Sequence, residues 1–256
     1  MSLWHFTKAN VAAHLVGFWP TNAFLWACAR YGWFARSKIQ EQHRFPSQTL
    51  INKALLANVK IDLLALPLAS YVMHKLLTYK GWSHLNDREE TKPSVGTTLW
   101  QVAVGYLGYD VMFYWTHRAL HTRWLYRRVH SKHHLFRTPI GISSSYSHFI
   151  EDAIQLLNWF VPIGFAGWLN RRNGGLHVQT LFWYNVLRWL EPIDAHCGYD
   201  FPFSPFSLVP LFGGAQMHDT HHSAFFGNYG ATVLWDRICK TENPLYKEWR
   251  FRGRTD

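Results

Sequence analysis

The chain has 256 residues, of which 16% are charged and 17% aromatic, and its formal net charge is +10 at pH 7. The charged fraction lies well below the ~25% of an ordinary globular domain, and three widely spaced cysteines imply no disulfide framework. The positive charge would suit anionic lipid or an acidic protein partner. Nucleic acid is not an expected partner, because no recognition module accompanies the basic residues.

Five apolar stretches predict membrane helices. They lie at residues 11–29, 54–77, 93–109, 153–169 and 173–187. A span needs ~20 largely apolar residues, with ~17 as the lower limit, so the five together favour an integral membrane protein over a Trp-rich soluble helical one. A signal peptide at 11–29 is the other alternative, which Pro20 and the lack of a clear cleavage site disfavour.

The distribution of Lys and Arg predicts the orientation of these helices. Residues 30–53 and 117–148 are rich in basic side chains, whereas acids nearly balance the bases in the loop around Asp87. The positive-inside rule therefore places the two basic segments in the cytoplasm and the Asp87 loop in the lumen. The last two stretches are joined by a tight turn at residues 170–175, and this hairpin either crosses the membrane or re-enters it from one side.

The second half of the chain carries a repeating histidine pattern. Eleven of the sixteen histidines lie between His117 and His222. Nine of these form three boxes and a single residue: His117 and His121; His130, His133 and His134; His196; and His218, His221 and His222. Positions i, i+3 and i+4 share one face of a helix, and imidazole binds iron, copper, zinc and nickel. The pattern predicts a polyhistidine site for more than one metal ion, with a solvated basic face as the alternative.

A longer motif joins the boxes. An apolar helix leads into Asp110-Val-Met-Phe-Tyr-Trp-Thr-His117, and the later boxes are accompanied by Ile193-Asp-Ala-His196-Cys-Gly-Tyr-Asp-Phe-Pro202, Gly227-Asn-Tyr-Gly and Leu234-Trp-Asp-Arg237. Over roughly residues 98–240 the chain resembles the fatty acid hydroxylase and sterol desaturase superfamily. The stretch from His196 to Pro202 and the pair Gly213-Gly214 look most like the sterol C-4 methyl oxidases. One departure is Ile238-Cys239-Lys240-Thr241, where relatives usually have an aromatic or aliphatic pair followed by Gly-Thr.

The resemblance implies an all-α integral membrane fold, in which transmembrane helices are capped by a cytoplasmic-side, His-rich helical domain that holds two metal ions. Residues 1–97 are then N-terminal membrane-anchoring helices, and residues 98–256 form the catalytic domain. We expect a multi-pass protein of the endoplasmic reticulum membrane whose His boxes face the cytoplasm.

The resemblance also implies two iron ions, held by the nine box histidines. His148 and His177 are further candidate ligands, since relatives often carry a histidine near the first and the second begins an apolar helix. Asp110, seven residues before His117 on the same helical face, is expected to accept a hydrogen bond from an imidazole N–H group. Glu151, Asp194 and Asp219 are similar candidates, although Asp194 and Asp219 could instead cap helix starts.

The expected activity is that of a monooxygenase that uses O2 to oxidise a sterol, most of all at a C-4 methyl group. Electrons would come from cytochrome b5 and an NAD(P)H-dependent reductase, because the sequence has no nucleotide-binding motif. Side-chain (25-type) hydroxylation, C-5 desaturation and fatty acid hydroxylation are alternatives with the same chemistry. A non-catalytic metal-binding membrane protein is the alternative from another class.

Overall fold

The computed structural model describes residues 1–40, 45–82 and 84–252, and it is mostly helical. Residues 41–44, part of the basic segment at 30–53, and residues 253–256 lie outside the described chain. The α-helices are α1 (Leu3–Tyr31), α2 (Gln48–Lys60), α3 (Leu66–Thr78), α4 (Val95–Leu120), α5 (Arg123–Arg128), α6 (Phe149–Leu169), α7 (Val178–Ala195), α8 (Pro205–Leu208), α9 (Gly214–Ala224), α10 (Val233–Ile238) and α11 (Pro244–Arg252). The prediction of a mainly helical chain is confirmed.

Shorter elements connect these helices. A π-helix (Ile61–Ala65) joins α2 to α3. The 3-10 helices are Ala35–Ser37, Tyr79–Gly81, Glu89–Thr91, His130–Leu135, Gly141–Ser145 and Arg171–Asn173. Two short strands, β1 (Leu85–Asn86) and β2 (Leu176–His177), pair in parallel with Leu85 opposite Leu176.

All five predicted apolar stretches lie mainly in helices. Within the described chain, one helical run, Gln48–Gly81 with 34 residues, is long and apolar enough to cross a bilayer by length and composition. Only 11% of its most apolar part is buried, and Leu63, Leu64 and Leu68 are 65–70% exposed. Exposed leucines at this density are expected of a helix that faces lipid. The number of membrane crossings stays a prediction.

The charge at Asp62, which interrupts this apolar run, is matched by two polar groups from α1. The Nδ1 of His14 contacts one oxygen of the Asp62 carboxylate, and the indole N–H of Trp19 donates to the other oxygen at 2.8 Å. A carboxylate in an apolar segment is costly unless polar partners satisfy it. These two contacts explain how an acid is accommodated at the π-helix.

The chain divides into two compact units, and unit 1 consists of residues 1–20, 56–112 and 152–190. Its apolar core is formed by Phe6, Met73, Leu77, Phe160, Ile163, Ala166, Leu176, Leu181 and Tyr184. Within this unit, glycines on α4 allow α6 to approach closely. A Cβ atom at Gly108 would lie 2.8 Å from the Cβ of Pro162. Small residues at such positions are typical of helix packing in membranes.

Unit 2 consists of residues 21–55, 113–151 and 191–256. Met217, Val233 and Tyr246 form an apolar cluster where α9, α10 and α11 meet, and single antiparallel bridges join Lys38 to Tyr199 and Phe212 to Thr232. All nine box histidines belong to this unit. The division at residue 97 into membrane-anchoring helices and a catalytic domain stays a prediction.

The close approach of α4 and α6 predicts unequal effects of alanine at two glycines of α4. Gly108→Ala should lower the apparent unfolding temperature in detergent, because overpacking costs about 1–3 kcal/mol. Gly96→Ala is the matched control: Gly96 lies in the first turn of α4 and its Cβ would meet only the Ser94 hydroxyl, at 3.8 Å, so the unfolding temperature should stay the same or rise slightly. Equal unfolding temperatures for the two variants would contradict this packing.

Candidate metal centre

The nine box histidines converge in two clusters. We call cluster 1 the group of His117, His121, His130, His134 and His221, and cluster 2 the group of His133, His196, His218 and His222. Within each cluster, one nitrogen from every imidazole lies within 4.8 Å of the corresponding nitrogens of the others. The structure therefore brings together all nine histidines of the boxes, in two groups rather than one.

Helical spacing explains part of this partition. Histidines four residues apart go to the same cluster: 117 with 121 and 130 with 134 in cluster 1, and 218 with 222 in cluster 2. The remaining histidine of each H-x-x-H-H box, His133 or His221, points to the other cluster. Each of these two boxes therefore supplies both clusters, and cluster 2 is completed by His196 at the end of α7.

The two H-x-x-H-H boxes arrange their rings alike. The rings of His130 and His133 are stacked at 5.5 Å and 24°, and those of His218 and His221 at 5.4 Å and 23°. The adjacent rings, 133 with 134 and 221 with 222, both lie 5.7 Å apart at 85°. The box at His130 forms a 3-10 helix, and the box at His218 lies on α9. The same side-chain geometry is therefore reached from two kinds of backbone.

Most of the imidazoles are oriented through their Nδ1 atoms, which contact main-chain carbonyl oxygens. The pairs are His117 with Tyr229 (2.8 Å), His121 with Phe225 (3.1 Å), His133 with Tyr146 (3.4 Å), His196 with Pro192 (2.7 Å), His221 with Gly227 (2.7 Å) and His222 with Phe136 (2.9 Å). A carbonyl oxygen can only accept a hydrogen bond, so these Nδ1 atoms carry the proton. In a neutral imidazole the Nε2 atom then has a bare lone pair.

These bare Nε2 atoms face one another at short range. The Nε2 atoms of His117 and His130 are 3.1 Å apart in cluster 1, and those of His133 and His196 are 3.2 Å apart in cluster 2. Among the described residues, the buried Nε2 atoms of His121 and His221 have no hydrogen-bond partner. At a metal–nitrogen distance of about 2.1 Å, two ligands at a right angle lie about 3 Å apart. Both clusters therefore fit a metal ion in the donor set and in the spacing of the donors.

Burial keeps these imidazoles neutral, the form that binds metal. Desolvation lowers the pKa of His133 to about 4. It also lowers the pKa values of the other histidines on the second and third boxes and of His196 well below the ordinary value, with neighbouring imidazoles adding to the effect. At neutral pH a metal ion would not have to displace protons from these residues.

The carboxylate of Glu151 contacts cluster 1. The Nδ1 of His130 donates to Glu151 at 2.9 Å, and both side chains are almost fully buried. Glu151 lies in the first turn of α6, where the helix dipole stabilises a negative charge. Glu151 lies three residues after His148, but its partner His130 is 21 residues away in the chain. Proximity in sequence was therefore the wrong signal for this contact.

The structure places His148 and His177 outside the two clusters. His148 precedes α6, and its Nδ1 accepts a hydrogen bond from the main-chain N–H of Ile150 at 3.3 Å, which caps the helix. His177 belongs to unit 1, on β2, where its Nε2 contacts the Arg88 carbonyl at 3.3 Å. Its Nδ1 accepts from the N–H of Gln179 at 3.1 Å. Both residues have local structural partners.

Two of the three aspartates that were expected to orient imidazoles, Asp194 and Asp219, have other partners, and the role of Asp110 stays a prediction. Asp110 is buried on α4 in unit 1, while His117 has Tyr229 as its acceptor. Asp194 accepts from the hydroxyl of Ser204 at 2.7 Å, and burial raises its pKa to about 6. Asp219 accepts from the side-chain amide of Gln40. Carbonyl oxygens take most of the role that was expected of carboxylates, and they leave no signal in the sequence.

Comparison with known proteins identifies the family. A family model described as fatty acid hydroxylase matches residues 102–241. The chain belongs to the fatty acid hydroxylase family. The superfamily and the enzyme class expected from the histidine boxes are thereby confirmed. No solved structure matches the chain at a significant level.

Curated relatives carry two kinds of name. The chain is 36% identical over 211 residues to very-long-chain aldehyde decarbonylase GL1-11 of Oryza sativa subsp. indica, covering 80% of this chain and 73% of the relative. It is 35% identical over 211 residues to methylsterol monooxygenase 2-2 of Arabidopsis thaliana, with the same coverages. Methylsterol monooxygenase 1 of Danio rerio is 39% identical over 141 residues, or 55% of this chain and 46% of that protein. The sequence motifs predicted a likeness to the methyl oxidases, whereas the likeness to the decarbonylases was not predicted.

The contact between His130 and Glu151 predicts that the carboxylate charge supports metal binding. Glu151→Gln keeps an acceptor oxygen and removes the charge, so it should weaken metal retention about 10–100-fold, as measured by competition with a chelator. His148→Ala is the control: it removes the cap of α6 and should leave the metal content unchanged. Metal loss in His148→Ala comparable to that in Glu151→Gln would return His148 to the ligand set.

Proposed function

We propose that this protein is a membrane oxidoreductase that holds two iron ions in clusters 1 and 2 and uses O2 to oxidise a sterol, most of all at a C-4 methyl group. The observation that carries the proposal is the convergence of nine imidazoles, seven of them buried, in two groups. The relatives named methylsterol monooxygenase supply the substrate class.

The ligand set favours iron in a protein of this family. Imidazole accepts several transition metals, and the family resemblance implies iron. Two Fe(II) ions would add about four positive charges to a buried site. Neutral histidines would compensate none of these charges, and the carboxylate of Glu151 would compensate one. Iron bound there would supply the activation of O2 that attack on an unactivated C–H bond requires.

The chain itself would position the metal-binding nitrogen atoms and exclude water from them. The carbonyl oxygens that accept from Nδ1 atoms fix the tautomer and the plane of most rings, so the Nε2 atoms are preorganised before a metal binds. Burial of the clusters keeps bulk water from the reacting atoms. A sterol would have to reach the clusters from the bilayer, in which the exposed leucines of Gln48–Gly81 would lie.

Electrons would have to come from outside, because the sequence has no glycine-rich nucleotide loop. We propose cytochrome b5, reduced by an NAD(P)H-dependent reductase, as the donor. Residues 117–148 contain no acid. The exposed bases in this segment are Arg118, Arg123, Arg127, Arg128 and Arg137. Such a surface would steer an acidic donor towards the side of the membrane on which the histidine boxes lie.

Reconstitution tests the activity. Protein purified anaerobically and loaded with Fe(II) should hold about two ions per chain, one for each cluster. With O2, NADH, cytochrome b5 and its reductase it should oxidise a 4,4-dimethyl or 4-methyl sterol, as detected by mass spectrometry. His221→Ala in cluster 1 and His133→Ala in cluster 2 should each abolish turnover, while His5→Ala, which alters an exposed histidine of unit 1, should not.

Other outcomes of this assay select the alternatives. Wild-type turnover in either cluster variant would refute the metal assignment. Tightly held zinc with no turnover on any lipid would favour a non-catalytic metal-binding protein. The similarity to aldehyde decarbonylase GL1-11 makes a very-long-chain aldehyde the second substrate to test. Fatty acids and sterols without a C-4 methyl group would reveal fatty acid hydroxylation, side-chain hydroxylation or C-5 desaturation.

The arginine distribution predicts the topology in the endoplasmic reticulum membrane. Glycosylation acceptor sites inserted next to Asp87 should be modified in the lumen, and sites within residues 117–148 or at the C-terminus should not, because basic segments stay in the cytoplasm. A glycosylated C-terminus would overturn the orientation and with it the access of a cytosolic electron donor.

A further inference from the structure

Cluster 1 depends on a single loop. Three of its five histidines donate Nδ1–H groups to carbonyl oxygens of residues 225–229, which we call the carbonyl loop. His121 donates to residue 225, His221 to residue 227 and His117 to residue 229. Three alternate carbonyl groups of one short segment thus orient three imidazoles of the same cluster.

Cluster 2 is oriented differently. Its acceptors are the carbonyl oxygens of Phe136, Tyr146 and Pro192, which come from three separate segments of the chain. None of these three carbonyls belongs to the carbonyl loop. A change in the shape of the loop should therefore disturb cluster 1 and spare cluster 2.

The carbonyl loop has a backbone that needs support. Phe225, Gly227 and Asn228 have φ values of 63°, 71° and 54°, in the left-handed region that costs most residues about 1–2 kcal/mol. Only the glycine adopts this region without a steric penalty. Phe225 is the C-cap of α9, where its N–H donates to the carbonyl of His221 at 2.9 Å, and contacts outside the loop hold Asn228 in this conformation.

Asp236 supplies one such support. Its Oδ1 accepts from the N–H of Tyr229 at 3.0 Å, and its Oδ2 accepts from the N–H of Gly230 at 2.7 Å. The hydroxyl of Thr241 also donates to Oδ1, at 2.7 Å, and the Asp236 side chain is completely buried. One carboxylate thereby fixes the end of the loop that carries the acceptor for His117.

Two asparagines support the middle of the loop. The amide of Asn228 donates to the carbonyl of Met217 at 3.0 Å, and its oxygen accepts from the N–H of Asn243 at 2.8 Å. The side chain of Asn243 donates to the carbonyl of Phe226 at 2.9 Å. Both asparagines are fully buried, so these hydrogen bonds do not compete with bulk water.

We propose that Asp236, Asn228 and Asn243 are positioning residues for the metal of cluster 1. They hold the carbonyl loop in the shape that fixes the tautomer and orientation of three imidazoles, and so they control metal retention at cluster 1 independently of cluster 2. The proposal rests on the proposed function in one respect, namely that each cluster holds a metal ion.

The test is the titration of Fe(II)-loaded protein with a chelator under anaerobic conditions, followed by iron analysis. Asp236→Asn replaces one acceptor oxygen by an amide that would face a main-chain N–H. We expect one of the two ions to be lost at about 10–100-fold lower chelator concentration than in the wild type, and the other to be lost at the wild-type concentration. Loss of both ions together, or no change, would overturn the proposal.

A second variant reaches the loop by another route. A Cβ at Gly227 would lie 2.6 Å from the carbonyl oxygen of Thr241, so Gly227→Ala should move the loop and release the same ion. Gly32→Ala is the matched control in the same unit, since Gly32 has a φ of 70° and open space around its Cβ. If both alanine variants lost iron equally, backbone strain alone would explain the loss, and the proposal would be contradicted.

Cluster-specific backgrounds identify the ion that is lost. In His218→Ala, where cluster 2 is weakened, Asp236→Asn should release the ion that remains. In His121→Ala, where cluster 1 is weakened, it should have no further effect. The opposite result would assign Asp236 to cluster 2. The iron content of the wild type tests the proposed function separately, since it is measured before any loop variant is compared.

Discussion

Lone pairs that face one another are the constraint on which the rest of unit 2 depends. Nδ1 atoms that donate to oxygen leave Nε2 atoms bare, and burial prevents protonation from relieving the repulsion between them. The pairs at 3.1 and 3.2 Å are therefore unfavourable in the protein alone, and a cation between them would make them favourable. Such a site has to be imposed by the surrounding fold, as strained functional sites generally are.

The fold imposes it by fixing the far side of most of the rings. Helical spacing brings pairs of histidines to one cluster, but spacing alone does not determine which nitrogen faces inward. That choice is made by oxygen atoms: six main-chain carbonyls and the carboxylate of Glu151. The two H-x-x-H-H boxes place their rings alike on a 3-10 helix and on an α-helix. The ring arrangement is thus a property of the two clusters and not of one type of helix.

The sequence was informative about the site because side chains with distinctive chemistry recur at helical spacing. All nine box histidines occur in the two clusters, and the mainly helical fold followed from the apolar stretches. The partition between clusters was not predictable, because His133 and His221 turn away from their own boxes to meet residues distant in the chain. The acceptors were missed for a related reason. Asp194 and Asp219 have carboxylates that can be seen in a sequence, whereas any residue supplies a carbonyl.

The departure at Lys240, which sequence comparison alone leaves unexplained, has a structural account. Lys240 is exposed and has a φ of 57°, a conformation that the glycine usual in relatives would adopt without strain. The next residue keeps the important contacts, because the Thr241 hydroxyl lies 2.7 Å from Asp236 and 2.9 Å from the hydroxyl of Tyr114. At Lys240 the departure therefore alters a turn. Relatives with two different substrate names match the chain at 36% and 35% identity over the same length, so overall similarity does not decide between them. The choice must depend on side chains that contact the lipid.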